Sequence, residues 1–220
     1  PYKLGLPGEE LPGIIQALDL LWEVNMALTE QRDCDILLGD RVVVIGGGNA
    51  AMDSAVTARK LGAKKVTILY RRSENEMPAW EEEKTFALAQ GISIQTLTGP
   101  VRFLGKEDRV SGLECVEMRL GEVDRSGRKR PIPLTGSEFQ IPCSAVILAI
   151  GQGPSLAPEG LERDPSGLVR VDKETLVTSV PGIYAGGDLI RGSDTAVQAV
   201  GDGKRAAFAI DTWIQSLSNK

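Results

Sequence analysis

The stretch VVVIGGGNAAMDSA, Val42 to Ala55, decides how this chain is read. Four apolar, mostly β-branched residues run directly into three glycines, and a helix-like pattern follows with almost no spacer. That is a buried strand, a tight turn and a helix. Within it, Gly46-x-Gly48-x-x-Ala51 puts a small residue at each of three positions. The first allows the tight turn, the second lets a pyrophosphate touch the backbone, and the third lets the helix pack close to the strand. The helix N-terminus then presents N–H groups and a positive dipole end to phosphates. Strand before and helix after favour nucleotide binding over a purely structural glycine turn.

The next strand, KVTILYR (Lys65 to Arg71), bears on which nucleotide. NAD-selective folds place an acid at its end to accept the ribose 2′-hydroxyl. This chain has Arg71 and Arg72, the former 25 residues after Gly46. A planar, always-charged guanidinium suits a 2′-phosphate, so NADP(H) is the expected ligand. A solvated arginine pair is the plainer alternative.

Outward from this unit, Asn49 to Leu61 reads as a helix stopped by Gly62, and Ala79 to Gln90 as another stopped by Gly91. ISIQTL (Ile92 to Leu97) is a third strand, and the alternation implies an α/β fold with a doubly wound parallel sheet. From Pro100 the texture changes. VRFL, RVSGLECVEMRL and EFQIP suggest an antiparallel meander. The basic RSGRKRP (Arg125 to Pro131) reads as a solvated hairpin tip rather than a docking patch. SAVILAIGQ (Ser144 to Gln152) is again a buried strand ending in glycine, GIYAGGD a last short strand, and Thr195 to Leu217 a final helix. On the N-terminal side, residues 1–13 read as an extended connector and Ile14 to Leu28 as an amphipathic helix, with a polar loop to Asp40.

Composition narrows the chemistry. The 220 residues are 42% hydrophobic and 25% charged, ordinary for a globular protein with a substantial core. The net charge of −5 argues against a general nucleic-acid or anionic-membrane binder, and no apolar run is long enough to span a bilayer. There is no secretory signal pattern, and the first residue is Pro1, which suggests a processed or excised form. Cys34, Cys115 and Cys143 form no CxxC, so reduced thiols in a cytoplasmic protein are expected, without a dithiol pair or a metal site. The absence of histidine removes His-based acid–base, nucleophilic and metal mechanisms. No protein side chain is therefore assigned a catalytic role.

The stretch PGIYAGGDLIRGSDTAVQAVGDGKRAA (Pro181 to Ala207) carries the second glycine-rich strand end. A carboxylate at Asp188 can hold a polyol hydroxyl, and a helix end near Thr195 can stabilise negative charge on a bound ring system. A helix-capping turn is the alternative. VVVIGGGNAAMDSA, VTILYRRSENEMPA, ILAIGQGP and IYAGGDLIRGSDTAVQAVGDGKRAA together resemble the NADPH-dependent FAD oxidoreductase small (beta) subunit of glutamate synthase and its relatives. The resemblance runs over essentially the whole chain but covers only the C-terminal portion of such a subunit.

The resemblance implies a Rossmann-like NADPH domain at residues 41–152 inserted into a FAD domain. Residues 1–40 would be a connector and helix on the FAD side, and 153–220 the returning half of the FAD domain. Gly46, Gly48 and Asn49 would contact the NADPH pyrophosphate, with Gly47 and Ala50 in the same turn; Ala50 stands where the family commonly has Thr. Arg71 and Arg72 would meet the 2′-phosphate, and Ala149, Ile150 and Gly151 would line the nicotinamide side. Gly187 and Asp188 would hold the FAD ribityl–phosphate region, and Thr195, Ala196 and Val197 would lie by the flavin. The implied reaction is hydride transfer from NADPH to FAD, with electrons passed to a partner subunit or other acceptor. Iron–sulfur clusters would lie outside this chain, and the FAD site would be incomplete within it. A thioredoxin-reductase-like enzyme would need a CxxC, which is missing; a non-catalytic NADP(H)-binding module is the alternative of another class. If the FAD segment lacks its partner half, residues 1–40 or 153–220 are expected to be displaced, disordered or packed on another copy, as in a homo-oligomer.

Overall fold

A computed structural model describes residues 1–124, 127–154 and 159–218. Arg125 and Ser126, the start of the basic stretch, lie outside the described residues. The contacts divide the chain into two units, Lys3–Ile150 and Pro1–Tyr2 with Gly151–Lys220. The division falls elsewhere than the expected boundary at residue 40: residues 3–40 belong with the strands that follow them.

The reason is β1 (Ile14–Gln16), a short strand read in the sequence as the start of a helix. It pairs in parallel with β9 (Ala145–Leu148), Ile14 opposite Val146 and Gln16 opposite Leu148. Helix α1 (Ala17–Glu30) begins only after it and ends at Gln31 in the left-handed conformation. β2 (Arg41–Ile45), α2 (Asn49–Lys60), β3 (Lys65–Leu69), α3 (Glu81–Ala89) and β4 (Ser93–Gln95) follow the expected alternation. The resulting five-stranded sheet has the order β1-β9-β2-β3-β4, and every pairing in it is parallel.

β2 and β9 show how alternation builds this unit. Val42, Val44, Ala145 and Ile147 face a core that includes Leu20 of α1 and Ala51, Met52 and Ala55 of α2. Val43, Ile45, Val146 and Leu148 face a second core with Phe103, Val110, Leu113, Cys115 and Cys143. Both faces are buried, so the strands read as continuous apolar runs. The second face is covered by the antiparallel meander: β5 (Thr98–Lys106), β6 (Arg109–Val123), β7 (Lys129–Pro133) and β8 (Phe139–Pro142). β6 is the hub, pairing with β5, β7 and β8. The β5–β6 turn has Glu107 and Asp108 both at positive φ, the backbone of a tight two-residue hairpin.

The other unit is sparser. Its buried cluster is Leu161, Val169 and Ala185, with Val171, Val180, Ile183, Leu189 and Ile190 packed partly against it. The strand expected at GIYAGGD is reduced to one bridge, Val177 to Tyr184, and among the described residues no neighbouring strand extends the ladder. A short helix α4 (Asp188–Arg191) precedes the long α5 (Ala196–Ser218). Along α5, Val197, Val200, Phe208, Ile214 and Leu217 are all at least half exposed, Val197 at 81%. Among the described residues no helix is long and apolar enough to cross a membrane.

Candidate functional site

The glycine turn lies between β2 and α2, at the C-terminal end of a strand inside the parallel sheet. Gly46 sits at φ +152°, and a Cβ there would collide with the Ala149 carbonyl. A Cβ on Gly47 would fall 2.5 Å from the Tyr70 ring. Packing alone explains these two. Gly48 differs: a Cβ there would meet nothing closer than Pro78 Cγ at 3.8 Å. Gly48 is the N-cap of α2 and brings no side-chain cap to its first N–H groups. Ala51, Met52 and Ala55 behind it are fully buried, so the helix lies tight on the sheet while its N-terminus faces open space. That combination leaves the first backbone N–H groups of the helix open to a partner from outside the chain's own caps.

Asn49 has a further task there. Its Oδ1 accepts the Trp80 N–H at 3.0 Å, and the Ala79 N–H donates to the Gly47 carbonyl at 3.0 Å. The MPAW segment (Met77–Trp80) is thereby stitched to the turn, with Met77 and Ala79 buried. At the end of β9, the Ala149 N–H donates to Ile45 at 2.8 Å, which brings Ala149 against Gly46. Ile150 ends the first unit, and Gly151, at φ +95°, begins the other.

The two arginines separate. Arg71 is exposed. Partial desolvation, and then the like charges of Arg72 and Arg128, lower its pKa, while Tyr70 and Asp124 oppose them. Arg72 is only 4% exposed, and its guanidinium is already engaged. Its Nε donates to the Lys129 carbonyl at 2.8 Å and its Nη2 to Asp124 at 2.7 Å. Glu76 extends the knot: its Oε2 accepts the Ser73 hydroxyl at 2.8 Å, and its Oε1 accepts the Lys129 N–H at 3.3 Å. The Ser73 hydroxyl first, then backbone N–H groups, hold the Glu76 carboxyl below the usual carboxylate range. The two arginines expected to act together thus lie in different surroundings: Arg71 is exposed, and Arg72 is buried against the meander.

In the other unit, Gly187 adopts φ +64°, ψ −146°, a backbone that L side chains avoid. Asp188 is exposed, and its Oδ1 accepts a long contact from the Asp194 N–H at 3.4 Å. Thr195 caps α5, its Oγ1 accepting the Gln198 N–H at 3.3 Å, and Ala196 and Val197 open that helix on an exposed face. The residue the sequence reading missed is Asp202. It is 1% exposed, the only acid in the buried set among the described residues. It accepts from Arg191, from Arg205 at 2.5 Å and from the Gly187 N–H at 2.8 Å. Arg191 first, then Gly187 and Arg205, lower its pKa to about 2. A Cβ at Gly186 would lie 2.8 Å from Asp202 Cβ, so Gly186 is small because the carboxylate comes close. The Asp202–Arg205 spacing of three along a helix was the one signal available.

Shallow cavities elsewhere do not touch these residues: about 460 Å³ beside Glu82 and Phe86 of α3, and about 300 Å³ between Asp40 and Cys143.

A parallel sheet with a glycine turn opening a helix at a central strand end defines a Rossmann-like α/β protein. The chain belongs to the pyridine nucleotide-disulphide oxidoreductase family, whose model matches residues 1–203. It is 41% identical, over 97% of its length, to the NADP(+)-dependent formate dehydrogenase subunit beta of Moorella thermoacetica, of which it covers 30%. It is 44% identical over 94% of its length to the glutamate synthase [NADPH] small chain of Halomonas elongata, covering 46% of that protein. The chain therefore spans less than half of these relatives. Among solved structures, T. acidophilum thioredoxin reductase matches 95% of this chain and 61% of its own, at 25% identity and a TM-score of 0.71. Mycobacterium tuberculosis FprA in complex with NADPH shares the fold at a TM-score of 0.74 and 24% identity, over 99% of this chain and 61% of its own.

Proposed function

We propose that this chain is the NADPH-binding part, with a portion of the FAD-binding part, of a flavin-dependent oxidoreductase that passes electrons to a partner subunit or other acceptor. The observation that carries the reading is the open space before Gly48 at an uncapped helix N-terminus, with exposed Arg71 at the end of the neighbouring strand. In this reading the N-terminal N–H groups of α2, from Gly48, Asn49 and Ala50, hold a dinucleotide pyrophosphate. Arg71 meets the 2′-phosphate with a charge-assisted fork. Ala149, Ile150 and Gly151 line the nicotinamide side. Gly187 and Asp188 hold the ribityl–phosphate region of a flavin, and the N-terminal end of α5 at Thr195, Ala196 and Val197 faces its ring with a positive dipole end.

When bound, the nicotinamide supplies a hydride and the flavin accepts it, so no side chain has to act as acid, base or nucleophile. The chain's own work is to hold, orient and bias charge. Names such as NADPH-Fe(3+) oxidoreductase subunit beta, borne by a Geobacter sulfurreducens relative at 39% identity, support an onward electron acceptor; glutamate synthesis is one candidate role. Cys34, Cys115 and Cys143 are free thiols, which suits a cytoplasmic site of action. Iron–sulfur clusters, if the electrons use them, belong to regions outside this sequence.

A second reading, an NADP(H)-binding module that holds no flavin, is favoured by one observation: the small core and exposed α5 of the unit that would meet FAD. Titrating the purified protein with FAD and then NADPH separates the two. Saturable flavin binding, with the bound flavin bleached anaerobically by NADPH and far more slowly by NADH, supports the oxidoreductase. NADPH binding with no retention of FAD leaves the module as the function of this chain.

A further inference from the structure

We propose that Asp202 is the positioning residue of the Gly187–Asp188 turn: its carboxylate, buried on α5, fixes the backbone that sets where the Asp188 carboxylate stands, and acts on a bound flavin through Asp188 without touching it. The inference rests on the flavin reading of that turn and deepens it.

The sequence pairs Gly187 with Asp188 at the ribityl–phosphate region of a flavin, but the two do different work. The Gly187 N–H donates to Asp202 Oδ2 at 2.8 Å. A donor spent inside the chain is not offered to a phosphate. What Gly187 contributes is its conformation, φ +64° and ψ −146°, which a residue with a Cβ avoids. Asp188 is the residue left for contact. It is exposed, and carboxylate oxygens accept the hydrogen bonds that the hydroxyls of a polyol chain donate. An exposed acid directly after a turn of fixed backbone fits a ribityl group on the chemistry of its acceptors.

Asp202 is 1% exposed, and its two oxygens serve donors from three places. These are Arg191 at the end of α4, Arg205 one turn further along α5 at 2.5 Å, and the Gly187 N–H. Asp188 is thereby bracketed: Gly187 before it and Arg191 three residues after it are fastened to one carboxylate. Gly186 completes the seat, because a Cβ there would lie 2.8 Å from Asp202 Cβ. Arg205 carries the clasp outward, its Nη1 donating to the Lys173 carbonyl at 3.1 Å. A buried ion pair adds little net stability over apolar packing of the same volume. Its return here is geometry: hydrogen bonds of fixed direction hold one backbone conformation on each side of Asp188.

The test is a double-mutant cycle on FAD affinity, read by calorimetric titration. It uses the wild-type protein, Asp188→Ala, Asp202→Asn, Arg205→Gln, and the last two each combined with Asp188→Ala. Asp202→Asn keeps the volume and removes the charge. Asp188→Ala and Asp202→Asn are each expected to weaken FAD by about tenfold or more, and Asp202→Asn on top of Asp188→Ala to change the affinity by less than about twofold. A residue that only stabilises the unit would weaken FAD by the same factor in both backgrounds. Arg205→Gln removes the more exposed arm of the clasp and is expected to weaken FAD about threefold with the same coupling to Asp188. It keeps the test decisive if Asp202→Asn does not fold. Additive losses, or affinities unchanged by Asp202→Asn and Arg205→Gln, overturn the inference while the flavin reading of Asp188 stands. If Asp188→Ala leaves the affinity unchanged, or the wild type binds no FAD, the flavin reading fails and the inference with it.

Discussion

The unit Lys3–Ile150 and the unit built around Gly151–Lys220 bury their apolar residues in opposite ways. The first closes two cores, one on each face of its parallel sheet, and fully buries Val42, Val44, Val66, Val146 and Ile147. The second closes one small cluster and leaves a long helix with Val197, Val200 and Phe208 in solvent. Its firmest feature is polar: Asp202 clasped by two arginines and a backbone N–H. The difference teaches that the Gly46–Gly48 turn stands on a scaffold that meets its own packing needs. The Gly187–Asp188 turn stands on a charge clasp beside an apolar surface that seeks cover. This is the pattern expected if the unit Lys3–Ile150 carries a complete site and the other a partial one.

Substitutions can break this comparison. The largest effect is expected at Ile147, fully buried on β9 between β1 and β2. Ile147→Ala should cost about 2–5 kcal/mol in denaturant unfolding of the first unit. The matching truncation in the second, Val200→Ala at an exposed position, should stay within about 0.5 kcal/mol. Equal losses would mean that α5 is covered in solution, by another copy or by other chain, and sedimentation would then separate those cases.

Acid sharpens the contrast from the other side. The Asp202 pKa is depressed in the folded chain to about 2 from an ordinary 3.8. A depressed carboxylate contributes stability that is complete above the ordinary value and fades as pH falls through the folded one. The second unit should therefore loosen between about pH 4 and pH 2, followed by fluorescence of Trp213, which lies against Gly182 of that unit. Asp202→Asn should remove this dependence and weaken the unit already at neutral pH. An Asn variant with an unchanged acid profile would show that the clasp is not what holds the turn. In the first unit, Ser54 on α2 has a fully buried hydroxyl with no hydrogen-bond partner among the described residues. Ser54→Ala should raise stability by about 0.5–1 kcal/mol, read as a shift in the denaturation midpoint, because it removes an unpaired polar atom and favours helix. A loss instead would mean that the hydroxyl has a partner in solution.

What could be read in the sequence, and what could not, follows the range of the interactions. The turn at Gly46–Gly48 was legible because tight backbone and close approach are demands on residue type made within a few positions. The parallel sheet was legible because strands buried on both faces are continuous apolar runs, as in Val42–Ile45. β1 was not: three residues, Ile14–Gln16, merge into a helical pattern, and only their pairing with Val146–Leu148 makes them a strand. The burial of Arg72 was not legible for the same reason. Its partner Asp124 is 52 residues away, and nothing local distinguishes a buried arginine from an exposed one in the pair. Asp202 lay hidden as a polar residue in a helix, since its worth comes from Gly187 and Arg191, 15 and 11 residues earlier.

The most direct measurement of the central account, that the end of β3 selects a 2′-phosphorylated dinucleotide through Arg71, is competition between 2′,5′-ADP and 5′-AMP for the purified protein. The account predicts that 2′,5′-ADP binds about tenfold or more tightly in the wild type, and that Arg71→Ala brings the two ligands close to equal by weakening 2′,5′-ADP alone. Equal binding of the two ligands to the wild type, or an Arg71→Ala variant that weakens both alike, would contradict it.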